Sequence, residues 1–360
     1  MLSQVLDSPK KRIAAGVVSA LVLAGGVTLA LAGGGDDEPP PTTTTTTSST
    51  TTTAPPVTVP AAVAPLTGLP TDPAVVGRTA LVVKIDNVDP KARPQIGINH
   101  ADVVYEERVE GSVTRLLAVF HSVDAEPVGP VRSARTSDLG VLAMLNRPHF
   151  AWSGANNFFA ARIREANVND VGYDAASGFY YRAGDRAAPS NLMLKSTAEV
   201  MAQPSEGSGP PPALFVYRTP DQPVAHLEPV GGVRVTYGTS AGAAPVEYRW
   251  NGSGWARDQK GTPHVDANGQ QIAPENVIVQ FTSYVSSGVN DQFGNPIPEA
   301  QFVGEGDAWV LTNGGLVVAR WHKPALEAVT TYTDADGNPI GLTPGKTWVA
   351  VAPPGEAARL

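Results

Sequence analysis

Cysteine is absent from all 360 residues of this chain. That one absence excludes thiol nucleophiles, thiolate metal sites, disulfides and a lipid-bearing N-terminal cysteine. Basic charge is short as well: 26 Lys and Arg against 34 Asp and Glu leave a formal net charge of -8. General nucleic-acid binding needs a basic surface, so no nucleic-acid partner is expected. Several catalytic signatures are also missing. No His-Glu-x-x-His run and no Gly-x-Ser-x-Gly elbow occur. Ser-x-x-Lys occurs only at Ser8–Lys11, in the N-terminal tail. Without a partner serine motif, Gly345-Lys346-Thr347 reads as a strand edge rather than a penicillin-binding signature. No cofactor is implied.

What is present begins at the N-terminus. Lys10, Lys11 and Arg12 precede IAAGVVSALVLAGGVTLALA, an uncharged run over 13–32. Twenty apolar residues at 1.5 Å rise match the roughly 30 Å hydrocarbon layer of a bilayer. Positive charge on the N-terminal side predicts a short cytoplasmic tail, 1–12, with the rest outside the cytoplasm. Ala30-Leu31-Ala32 fits a small-x-small cleavage site, so the competing reading is a signal peptide cut after Ala32. The length of the apolar run favours a retained single-pass anchor in the cell membrane. Residues 33–65 carry a Thr/Ser/Pro stretch without hydrophobic periodicity, which predicts a disordered linker.

The fold class expected is α+β. The reading is an N-terminal mixed α/β domain over 66–202, a Pro/Gly/Ser break over 203–212, and a mostly antiparallel β domain over 213–353. ALVVKIDNV, 80–88, is a strand candidate. DVVYEERVEGSVTRLLAVFHSV, 102–123, reads as a hairpin turning at Glu110-Gly111. Helices are expected over Leu139 to Leu145, over 156–168, and over 190–202 with Ser190 or Asn191 as N-cap. Asn313-Gly314 and Asp336-Gly337 mark hairpin turns in the second half.

Four groups of residues could carry chemistry. Arg132 and Arg135, in GPVRSAR, precede a buried helix, and a guanidinium fork suits carboxylate or phosphate. Arg115 on the hairpin, and Arg182, Arg186 and Asn191 from a later loop, could complete an anion pocket; the competing reading is internal pairing with Glu106, Glu107 or Glu110. Glu106 and Glu107 point to opposite strand faces, so they cannot serve one substrate as an acid–base pair. One of them could still face a cleft. Metal signals are weak: His100 with Asp102, and His264 with Asp266, share only a two-residue spacing. Asp334-Ala-Asp336-Gly337-Asn338 has its glycine too early for an EF-hand loop, so a hairpin turn is the reading and no metal is assigned. Trp250, Trp255, Trp309, Trp321 and Trp348 fall in the β half, where they are either core or sugar-stacking platforms.

RPQIGINHADVVYEERVEGSVTRLLAVFHS, GPVRSAR and FYYRAGDRAAPSNL, followed by HVDANGQQIAPENVIVQ and GKTWVAVAP, resemble the YerB-like family of envelope-anchored bacterial proteins. The likeness spans 66–353 and implies a two-domain extracytoplasmic protein, with lipoproteins among its members. It brings no catalytic residues. Two departures stand out: no cysteine is available for a lipid, and Ser190 precedes Asn191 where the resemblance leads one to expect histidine. The expected function is a membrane-tethered envelope protein that binds an anionic wall polymer or a protein partner. The alternative is an envelope hydrolase or transferase acting on an anionic glycan through an Arg/Glu-lined cleft.

Overall fold

The computed structural model describes residues 62–360 apart from 89, 239–242, 244 and 292–293. The expected tail and anchor, 1–12 and 13–32, lie outside the described residues, as does most of the expected linker. Among the described residues no helix is long and apolar enough to cross a membrane. The last residues assigned to the linker are folded: Ala62–Val63 pairs with Pro70–Thr71, and Ala64 is buried.

One eleven-stranded sheet runs through the molecule. Its order is Glu228–Pro229, Gly315–Lys323, Gly304–Thr312, Asn276–Phe281, Thr347–Ala352, Val103–Arg108, Thr114–Phe120, Leu81–Asp86, His149–Ala151 and Asn169–Asp170, with Thr331–Thr333 alongside Gly315–Lys323. The two segments read as separate domains therefore share a sheet. Thr347–Ala352 joins them by lying parallel to Asn276–Phe281 on one side and to Val103–Arg108 on the other. The expected hairpin forms between Val103–Arg108 and Thr114–Phe120, with Tyr105 opposite Leu117.

Strands buried on both faces read as nearly continuous apolar runs, and LVVKID and TRLLAVF do so. Leu81, Val83, Ile85, Leu116 and Phe120 enter one core. There they meet Val233, Tyr248 and Trp255 of a five-stranded antiparallel sheet, which also takes in Ala357–Arg359 beyond the expected end of the β segment. Val82, Leu117, Val119 and Phe150 enter the opposite core. Leu142, Leu145 and Ile163 from the helical segments cover that face.

The helices are shorter than their apolar patterns suggest. Leu139–Leu142 makes one α turn and continues as the tighter Ala143–Leu145, ended by Asn146 at φ 56°. Asn157–Glu165 is capped by the Asn156 side chain, which accepts from Phe159 N. The helix expected over 190–202 is corrected. Leu192–Leu194 is a strand paired with Tyr180–Arg182, and the helix starts only at Thr197–Met201, capped by Ser196.

Candidate functional site

The candidate site grows from the end of the strand Leu81–Asp86. His149–Ala151 pairs with its first half, leaving the second half an open edge. Gly129-Pro130 steers the chain onto that edge, where Asp86 N donates to Pro130 O (2.9 Å) and Arg132 N to Lys84 O (2.8 Å). Arg132 is thereby set beside Asp86, its Nε 3.2 Å from Asp86 Oδ2 but without the alignment of a hydrogen bond. Ser190 Oγ donates to the same carboxylate oxygen at 2.8 Å. The serine standing where histidine was expected thus ties a distant loop to Asp86.

Arg115 sits directly across from Asp86 on the neighbouring strand. Its Nη1 donates to Ser133 O (3.1 Å), and its Nη2 lies 3.7 Å from Glu110 Oε1. Glu110 is gripped by Arg135 through both carboxylate oxygens, with Nε donating to Oε2 at 3.1 Å. The Arg135 guanidinium also lies 5.7 Å over the Phe159 ring. Three guanidiniums therefore gather around two carboxylates, Asp86 and Glu110. Burial works hardest against the Arg115 charge and lowers its pKa, with Arg135 and then Arg132 adding to the effect around a partial offset from Glu110. Glu110 moves down, because its Arg135 hydrogen bond and both arginine charges outweigh its burial. Arg115 Nε is buried without a hydrogen-bond partner among the described residues. Beside this group opens a pocket of about 410 Å³ whose lining includes Glu110, Ser133, Arg135, Asn156, Phe159 and Asp291.

The arginines do not wait at an empty helix terminus. Asp138 Oδ2 accepts from Arg135 N (2.8 Å), and its Oδ1 lies 2.5 Å from Lys84 Nζ. Glu107 also faces Lys84, at 3.0 Å, on the helical side of the sheet. Glu106 goes to the opposite side, as strand alternation requires. There it is fully buried, with Arg257 Nη2 at 2.8 and 2.9 Å from its two oxygens, Thr114 Oγ1 at 2.9 Å and Trp348 Nε1 at 3.1 Å. This corrects Glu106 as a ligand contact: it faces no solvent, and its acceptor sites are taken. Arg257 also stacks 4.9 Å over Trp348.

The network continues from Arg257 Nη1 to His264 Nδ1, and from His264 Nε2 to Gln95 Oε1 at 2.7 Å. The arginine can only donate, so His264 is neutral with its proton on Nε2. Burial and Arg257 both hold its pKa well below the usual value. Gln95 in turn donates to Asn87 Oδ1 (3.0 Å) and Asp86 O (3.1 Å), closing a path back to the candidate site. His264 is thus a hydrogen-bond relay and not a metal ligand with Asp266, whose Oδ1 accepts from Asn268 N and Gln270 N. Asp102 is likewise committed, accepting from His121 N and Ser122 N.

The other arginines are placed elsewhere. Arg182 Nη1 donates to Asn191 Oδ1 (2.8 Å), and its guanidinium covers Tyr173. Arg186 donates to Ala92 O and Pro94 O. Their hydrogen bonds fix the 183–191 loop, and Ser190 is the residue that delivers that loop to Asp86. Of the tryptophans, Trp255, Trp321 and Trp348 are buried core, while Trp250 and Trp309 are partly exposed. Arg257, Gln95 and Lys84 were missed from the sequence. Arg257 carried a usable signal: in WARDQ it alternates inward with Trp255 and Gln259, all three buried.

Two family models match this chain. The N-terminal domain of the protein of unknown function DUF3048 matches residues 66–207, and the C-terminal domain of the same family matches 233–349. The curated protein named "Putative lipoprotein YerB" from Bacillus subtilis (strain 168) is 30% identical over 311 residues, covering 82% of this chain and 88% of that one. The crystal structure of the YerB protein from Bacillus subtilis superposes with a TM-score of 0.71 at 26% identity, covering 83% of this chain and 99% of that one.

Proposed function

The chain belongs to the DUF3048 family of proteins of unknown function, and from that premise we propose that it is a membrane-tethered envelope protein whose Arg115–Arg132–Arg135 group binds an anionic group of a wall polymer. One observation carries the reading. Arg115 is a buried guanidinium crowded by two others, and its Nε has no acceptor among the described residues. An entering carboxylate or phosphate supplies both the acceptor and the missing negative charge. The name of the Bacillus relative, "Putative lipoprotein YerB", supports an envelope location. The apolar run over 13–32 supports tethering by a helix where the chain offers no cysteine. The alternative, a hydrolase or transferase, needs a carboxylate facing a cleft. Glu106 and Glu107 are both shut from solvent, which favours the binder.

The test is thermal unfolding of the chain against a polyol phosphate, a polyuronate and a neutral glucan. Native protein is compared with Arg132→Gln, which changes the most exposed of the three arginines. A ligand at a hundred times its dissociation constant adds about 2.7 kcal/mol. The expected result is a rise in midpoint with one anionic polymer, absent with the glucan and lost in Arg132→Gln. No rise with either anionic polymer, or a rise that survives the substitution, overturns the reading.

A further inference from the structure

The turn at Asp334–Asn338 forms as its sequence suggests, but it has a companion that local sequence does not reveal. Asp334 Oδ1 accepts from Asp336 N (3.0 Å) and Asn338 N (2.9 Å), which fixes the carboxylate. Its other oxygen, Oδ2, is left pointing at His226 Nε2, 4.0 Å away and beyond hydrogen-bond range. The Asp334 side chain is only 4% exposed, and its Oδ2 takes part in no hydrogen bond among the described residues. His226 arrives from a segment 110 positions earlier in the chain, and its Nε2 also meets Asp336 Oδ2 at 2.8 Å. One atom from each of the three side chains lies within 4.8 Å of the others.

We propose that His226, Asp334 and Asp336 form a binding site for one divalent transition-metal cation of the zinc class. An imidazole nitrogen with two carboxylate oxygens is a borderline donor set; hard cations such as calcium are served by oxygen alone. Zinc holds nitrogen and oxygen ligands at about 2.0–2.2 Å, which requires ligand atoms roughly 3.5 Å apart in a tetrahedron. Asp334 is the fixed ligand, oriented by its two backbone donors as metal-bound carboxylates commonly are. His226 and Asp336, 43% and 67% exposed, have the freedom to close around the ion. The outer position faces solvent and takes water. The ion would fasten the His226 segment to the hairpin at 334–338. It makes no use of the arginine group proposed to bind the polymer, so the two ideas fail independently.

The experiment is calorimetric titration of chelator-treated full-length protein with zinc chloride, with manganese and calcium chlorides as comparisons. His226→Ala is the main variant, because an exposed imidazole can be removed without disturbing the core. Asp334→Asn tests the fixed ligand, and far-ultraviolet circular dichroism checks that each variant is folded. One saturable zinc site is expected, weakened at least tenfold in His226→Ala and in any folded Asp334→Asn. Cobalt substitution should give an absorption spectrum of nitrogen and oxygen ligation that His226→Ala abolishes. Absence of saturable binding, binding unchanged in His226→Ala, or a preference for calcium through these residues each overturns the assignment.

Discussion

Arg257 places one guanidinium nitrogen within 2.9 Å of both carboxylate oxygens of Glu106, although 151 positions separate the two residues. Glu106 belongs to the central sheet and Arg257 to the five-stranded sheet stacked on it, so the pair joins two layers as well as two halves of the sequence. Removing one partner of a buried ion pair leaves an uncompensated charge and costs about 3–5 kcal/mol, whereas replacing both by apolar or neutral groups is often close to neutral. Arg257→Ala is therefore expected to lower the unfolding free energy measured in urea by that order. The double variant Glu106→Gln with Arg257→Met should be the milder of the two. A loss below about 1 kcal/mol in the single variant, or a double variant that is worse, would show that the pair contributes little.

The histidines set the acid limit. His121, His149 and His264 are buried, and burial lowers the pKa of each, to about 4 for His121. His121 Nε2 donates to Arg78 O, and its Nδ1 has no hydrogen-bond partner among the described residues. A folded-state pKa depressed below the unfolded 6.5 means that the fold holds the neutral ring. That stability is present above pH 6.5 and is lost as pH falls toward 4, by about 1.4 kcal/mol per unit for each proton taken up. Urea midpoints should fall between pH 6.5 and 4. His121→Gln, which keeps a donor for Arg78 O, should flatten that fall. An unchanged slope in the variant counts against His121 as a contributor.

Gly140 offers a test of packing against propensity. In a helical turn Ala is favoured over Gly by about 1 kcal/mol. A Cβ at Gly140 would lie 2.3 Å from Phe302 Cδ2 and 2.5 Å from its Cγ. The ring is buried and cannot step aside freely. Gly140→Ala is thus expected to destabilise by about 1–3 kcal/mol, and adding Phe302→Leu should recover part of it. Stabilisation by Gly140→Ala alone would mean the ring yields easily.

The sequence made some of this legible and hid the rest for identifiable reasons. Alternation along VVYEER was enough to send Glu106 and Glu107 to opposite faces, because the side-chain period of a strand is fixed. The same rule could have turned Arg257 inward. It could not say which strand lies above, and so it could not pair Arg257 with Glu106. Internal pairing of the arginines with Glu106, Glu107 or Glu110 was the competing reading from the sequence, and Arg135 makes it with Glu110. The 190–202 helix failed because Ser190 looks like a cap. The strand pairing of Leu192–Leu194 with Tyr180–Arg182 outweighed that local signal, and Ser196 became the cap instead. The shared sheet was hidden too, because a parallel pairing of 347–351 with 103–107 leaves no local trace.

Glu107 gives the sharpest test of the buried charges. It shares Lys84 with Asp138, all three side chains being wholly inaccessible, and its Oε1 has no hydrogen-bond partner among the described residues. Burial pushes its pKa up, to about 8, with the Asp138 charge adding to the shift and Lys84 opposing it. A carboxyl whose folded pKa is raised holds a proton that the unfolded chain gives up. Its contribution to stability is fully present below pH 4.5 and is lost as pH rises through 8. Gln at this position fixes the neutral state and removes that slope. Glu107→Gln should therefore be most unfavourable, relative to the native protein, near pH 4.5 and gain on it steadily up to pH 8. If Lys84 kept Glu107 ionised, its folded pKa would lie below 4.5 and the difference between variant and native protein would stay flat from pH 4.5 to 8. Urea midpoints of both proteins at four pH values between 4.5 and 8 decide which carboxylate, Glu107 or Asp138, carries the charge that neutralises Lys84.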